Sequence, residues 1–125
     1  MGTSAGNKHA SLVDPSAWPA AQATDVSNTT ASNTNTTLVY GADAQKRSHG
    51  FGFIDWSYSG TPTGGNIQVT DSNGVVYLDQ DITTGGPGFS PFFGFLPAGL
   101  AITITLVAGG AGVTGKIGRV EHYLR

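Results

Sequence analysis

The constraint that most limits what this chain can fold into is a period of two. Leu100, Ile102, Ile104 and Leu106 alternate with Ala101, Thr103, Thr105 and Val107, which sets one strongly apolar row on a single face of a β-strand. Ile67 and Val69 alternate with Asn66, Gln68 and Thr70 in the same manner. Further runs suited to strands are Thr36–Gly41, His49–Tyr58, Val75–Ile82, Phe89–Leu96 and Val113–Leu124. Between them stand Gly60-Thr-Pro-Thr-Gly-Gly65, Gly85-Gly-Pro-Gly88, Pro97-Ala-Gly99 and Gly109-Gly-Ala-Gly112, whose residues interrupt regular structure. Asn73-Gly74 separates two such runs and signals a hairpin, because both central residues of the tight turn tolerate positive φ. Near the end the alternation changes phase: Val113 and Ile117 share one face, while Val120, His122 and Leu124 fall on the other. A β-bulge at Gly118 would account for the change. No window carries a helical period. The expected fold is therefore all-β, a sandwich or jelly roll of about seven to eight antiparallel strands.

Residues 1–35 differ from this body. Between Gln22 and Thr37, eleven of sixteen residues are Ser, Thr or Asn, a composition that cannot build a packed core. Leu12, Val13 and Trp18 are the sizeable apolar residues upstream, and Pro15 and Pro19 bracket the tryptophan and oppose a helix. The reading is an extended N-terminal arm over 1–35 and a β-sandwich body over 36–125. Leu12, Val13 and Trp18 are the arm's candidate anchors for a partner.

Composition narrows the function further. Six Lys and Arg against eight Asp and Glu leave no basic field to attract nucleic acid. Charged residues make up 11% of the chain, about half the share usual in soluble domains, which suits a surface covered by partners. The absence of cysteine removes thiol chemistry and thiolate metal sites. The most apolar stretch, Gly94–Gly110, is interrupted by Pro97, Thr103 and Thr105 and reads as buried strand, not as a membrane span.

Motifs that promise chemistry fail on their surroundings. Gly110-Ala-Gly-Val-Thr-Gly115-Lys116 has the GxxxxGK spacing of a phosphate-binding loop, but Ile117 stands where magnesium needs a hydroxyl and nothing helical follows. Asp71-Ser-Asn-Gly74 resembles the start of a calcium loop, yet its twelfth position is Ile82 and both flanks are strands. Asp79 and Asp81 share a strand face and read as a charged edge that discourages stray pairing. His9, His49 and His122 are far apart, with no two at metal-ligand spacing. Asp55 sits among Phe51, Phe53, Ile54, Trp56 and Tyr58, where burial would raise its pKa, but no second carboxylate pairs with it in sequence. The expectation is a protein that is not an enzyme and needs neither metal nor cofactor.

Aromatic residues are the feature left over. Eleven of the twelve lie beyond Leu38, and four phenylalanines crowd Phe89-Ser-Pro-Phe-Phe-Gly-Phe95. Phe89, Phe93 and Phe95 share one parity and Phe92 has the other, so one strand face cannot hold them all. Either the surplus fills a sheet corner, or part of the set Phe89, Phe92, Phe93 and Phe95 lies in a subunit interface, where aromatics are enriched.

The stretch from Ser59-Gly-Thr-Pro-Thr-Gly-Gly-Asn-Ile-Gln-Val-Thr to Leu100-Ala-Ile-Thr-Ile-Thr-Leu-Val-Ala-Gly-Gly-Ala-Gly-Val-Thr-Gly-Lys resembles small virion proteins of tailed bacteriophages, over residues 57–118. The type is similar to capsid decoration, or cement, proteins. That resemblance implies a sandwich or jelly-roll body, commonly trimeric, seated on the outer surface of a virion against the major capsid protein. It implies no catalytic residue, and it leaves the arm's role to Leu12, Val13 and Trp18. The alternative is a carbohydrate-binding or host-adhesion module on a head or tail fibre, with an exposed aromatic platform; Trp56 or Tyr58 could stack sugars if exposed, but core use of these residues is the favoured reading. A minor tail or connector protein is a third reading, one that predicts ring assemblies.

Overall fold

The computed structural model describes residues 22–29 and 32–125, with backbone alone for 22–29 and for Phe93. Eight strands follow one another: β1 (Gln22–Thr29), β2 (Thr36–Tyr40), β3 (His49–Tyr58), β4 (Gly65–Asp71), β5 (Val76–Ile82), β6 (Gly88–Phe95), β7 (Ile102–Leu106) and β8 (Gly115–Leu124). They form two antiparallel four-stranded sheets with orders β1-β8-β3-β6 and β2-β7-β4-β5. The pairs 1–8, 2–7, 3–6 and 4–5 are those of a long hairpin folded at its middle and rolled up, so the sandwich is a jelly roll. Every connection except β4–β5 crosses from one sheet to the other.

Alternation decides which face of each strand turns inward. Ile67, Val69, Ile102, Ile104 and Leu106 of the second sheet meet Phe51, Ile54, Ile117 and Val120 of the first, all completely buried. Removing side chains of this size from water contributes about 1.5–3 kcal/mol each. Trp56, Tyr58, Ile82 and Leu96 complete the core. Three polar ties join the sheets across it. The Thr36 hydroxyl donates to the Gly115 carbonyl at 3.2 Å. The Tyr58 hydroxyl donates to the Val107 carbonyl at 2.7 Å and accepts from the Asn66 amide at 3.2 Å. The Trp56 indole donates to Ser90, whose hydroxyl donates to Gln80.

Two local features re-phase the first sheet. Asp55 pairs with Arg119 and Trp56 with Ile117, so Gly118 is the extra residue of a bulge. The bulge turns Ile117, Val120 and His122 inward together, which resolves the change of phase seen in the sequence. On β3, Gly52 and Phe53 stand against the single Glu121 of β8.

The hairpin between β4 and β5 forms, but with a turn other than the one its Asn-Gly pair suggests. Only Gly74 takes positive φ, at 84°. Its amide bonds the Asp71 carbonyl at 3.0 Å, and the Asp71 amide bonds the Val75 carbonyl, as in a turn followed by a glycine bulge. The Asp71 carboxylate holds the turn by accepting from the Asn73 and Val75 amides and from the Tyr77 hydroxyl. β1 lies within the Ser/Thr/Asn stretch assigned to the arm, and it adds the outermost strand beside β8.

Candidate functional site

The face of the first sheet that points away from the core carries an aromatic surface. Pairing puts Phe53, Phe89, Phe95 and Tyr123 on that side, with the glycines of β3 between them. The Phe53 and Phe89 rings stack with centroids 5.7 Å apart, and Phe89 is 56% exposed. One pairing step along, Phe95 lies over Gly50, where an added Cβ would come within 2.5 Å of its ring. The same ring is 6.5 Å from Tyr123 and lies under the Arg125 guanidinium, 4.3 Å from its centroid. Glu121 folds over Gly52 in the space a side chain would fill. Burial, and then Glu121 beside it, raises the Tyr123 phenol above its ordinary pKa. The glycines of β3 thus let neighbouring strands lay their side chains flat on the sheet, giving a low, largely apolar surface with a few charges.

The four phenylalanines of β6 divide. Phe89 and Phe95 belong to this outer face, whereas Phe92 packs inward with its ring 6.2 Å from Phe51. The Phe93 side chain lies outside the description, and Leu12, Val13 and Trp18 lie outside the described residues. Trp56 and Tyr58, the candidate sugar platform, are 8% and 6% exposed and belong to the core. Asp55 is not buried as its apolar neighbours in sequence suggested. It is half-buried on the outer face, opposite Phe89 and Arg119, because the alternation that turns Ile54 and Trp56 inward turns it outward.

The remaining sequence candidates take up structural places. The Gly110–Lys116 segment is a connection leading into β8, and its amides bond within the protein: Val113 to the Gly110 carbonyl, Gly112 to the Ser32 hydroxyl. Asp79 and Asp81 stand exposed on the edge strand β5, each accepting from the Asn66 side-chain amide, at 2.7 and 2.9 Å. An open depression of about 290 Å³ beside them is lined by Pro62, Gly64, Gly65, Asp81, Ile82 and Thr83, with Asp81 its single ionisable group. Among the described residues no three His, Asp or Glu side chains converge as a metal site.

Sequence spacing missed one constellation. His49 and His122 meet inside the sandwich with ring nitrogens 2.8 Å apart, each 5% exposed. The signal available was parity, since each occupies an inward position of its strand, but only the β3–β8 pairing shows that they touch. Compared with known proteins, the chain matches no family model and no curated sequence.

Proposed function

We propose that this chain is a small virion structural protein that decorates and cements a phage capsid as a homotrimer on the major capsid protein lattice. The observation that carries the reading is the outer aromatic face, with its exposed Phe89 stacked on Phe53. A surface so rich in rings, with charges set around them, is suited to lasting burial against protein. In this reading the face meets further copies of the chain through Phe53, Phe89, Phe95 and Tyr123. The arm reaches the capsid through Leu12, Val13 and Trp18 and adds affinity by tethering. Jelly rolls recur in capsid proteins and also in lectins, so the fold raises the prior and does not decide. The proposal includes neither catalysis nor a cofactor, and its place of action is the outside of the particle.

Copy number in purified particles is the direct test. Hundreds of copies per particle support decoration, whereas a handful supports an adhesion module. In solution, light scattering should give a trimer for the full chain and smaller, still folded species for Phe89→Asp, with a Tm lowered only by the lost association. A wild-type monomer at micromolar concentration would remove the trimer. Deleting residues 1–21 spares β1, and it should leave the trimer intact while abolishing capsid binding.

A further inference from the structure

His49 and His122 form a hydrogen-bond chain with only one possible direction. His49 Nε2 lies 2.7 Å from the Gly41 carbonyl, which can only accept, so that nitrogen carries the proton. In the neutral ring Nδ1 is then a lone pair, and it faces His122 Nε2 at 2.8 Å. His122 must therefore donate to His49. Tyr40, the last residue of β2, closes the site by stacking on His122 with centroids 4.3 Å apart and planes 25° from parallel. Phe51 covers another side, 5.3 Å from His122.

No carboxylate is among the described groups that contact the pair. From β2 comes the Tyr40 phenol, buried without a hydrogen-bond partner among the described residues and pushed up to about 12 by that burial. The loop before β3 holds Asp43 and Arg47, which pair with each other at 3.0 Å, and the exposed Lys46. On β8 and just beyond it, Glu121 covers Gly52 and Arg125 covers Phe95, both on the opposite face of the sheet. Among the described residues, positive charge on the imidazoles would therefore meet rings, the Gly41 carbonyl and the partner histidine, with no anion against it.

We propose that this histidine pair is an acid-sensitive latch: neutral, it ties β8 to the β2–β3 connection, and protonated, it parts and loosens the end of the sandwich where β1 begins. The proton would enter at His122 Nδ1 and place a charge in the buried site. The His122 Nε2–H still points at His49 Nδ1, so the cost of that charge is the hydration it loses among the rings of Tyr40 and Phe51. Burial first, and the nearby His49 second, lower His122 from 6.5 to about 4. The unfolded chain therefore takes up protons that the folded one refuses. The latch's contribution is complete above about pH 6.5 and is lost as the pH falls toward about 4. Loosening begins locally because Gln22 of β1 pairs with His122, and the Ser48 and Arg125 backbones close the same end. If the arm holds a capsid as proposed above, acid acts on the strand from which that arm leads.

The test compares urea unfolding and amide exchange of wild type and His122→Gln between about pH 7 and about pH 5. The Gln amide keeps the donor to His49 but does not titrate. Wild type should lose about twentyfold in its folding constant over that interval, with exchange at residues 22–25 and 120–124 rising before the rest of the sheet. His122→Gln should lose less than about threefold. A flat wild-type profile, or a variant that keeps the full acid dependence, overturns the latch. Should the variant not fold, the imidazole resonances of the folded wild type decide. Titration of His122 near 4 supports the proposal, and ordinary titration near 6.5 overturns it. None of these readouts involves a capsid, so the latch and the decoration role stand or fall separately.

Discussion

Tyr58→Phe removes one oxygen from the core and leaves the ring that packs there. That oxygen serves both sheets, since it donates to the Val107 carbonyl at 2.7 Å and accepts from the Asn66 amide at 3.2 Å, while its own strand belongs to the other layer. The substitution leaves a donor and an acceptor behind. A buried polar group left without a partner costs about 1–3 kcal/mol, more than the net worth of an ordinary hydrogen bond. The Asn66 amide contact is long, and the carbonyl end is only partly buried, so the total should fall near the middle of that range, about 2 kcal/mol. For a domain of this size that is a drop in Tm of about 8–10 °C. Urea and thermal unfolding at pH 7 and one fixed protein concentration measure it, with the urea slope unchanged because the same surface is exposed. A loss below about 0.5 kcal/mol would refute the claim that this hydroxyl joins the sheets, because water would then be replacing it at no cost.

Three further outcomes follow from the packing. Gly88→Ala places a Cβ inside the Trp56 ring, and relief requires moving the indole off Ser90. Stability should fall by about 1–3 kcal/mol, with a shift in tryptophan fluorescence that an unmoved ring would not give. Asp71→Asn weakens the β4–β5 turn. The Tyr77 hydroxyl and then the turn amides hold the Asp71 carboxyl below its ordinary pKa, so wild type gains stability above about pH 4 and loses it as acid protonates the group. The variant should exchange amides 69–78 faster and lack that acid-limb contribution, and unchanged exchange would count against it. Tyr40 works in the opposite sense: its folded value of about 12 lies above the unfolded one, so its stability is intact below pH 10 and disappears as pH rises toward 12. Tyr40→Phe should flatten alkaline unfolding in that window, and an unaltered alkaline limb would mean that other groups govern it.

How much of this was legible beforehand depends on which force shapes each element. Where burial sets the pattern, as at Ile67 and Val69 or Ile102, Ile104 and Leu106, the period of two was sufficient, and the misfit around Gly118 located a bulge. β1 was not legible as a strand. Its Ser, Thr and Asn residues carry no apolar alternation, and what fixes it is the backbone ladder it shares with β8. Asp55 misled because neighbours in sequence are not neighbours on a pleated strand. The aromatic face was half legible. The surplus in Phe89–Phe95 was plain, but its joining with Phe53 and Tyr123 depends on the β3–β6 and β3–β8 registers. The histidine pair depends on tertiary pairing alone.

The rolled-hairpin topology also orders events in time. β4 and β5 are joined by a short turn, and each pairing outside them spans a longer stretch of chain: β3 with β6, β2 with β7, then β1 with β8. Closing a long loop is slow when made directly, but each pair shortens the loop that the next must close. Folding should therefore proceed from the middle of the chain outward, so a substitution at Gly74 slows refolding while one at Lys116 mainly speeds unfolding. Stopped-flow rates for the two variants would reverse this order if the ends met first. The outermost pair is then the last to close and the first to open. The β1–β8 border, where Gln22 pairs with His122, is thus the kinetic hem of the protein, where a small local change acts soonest.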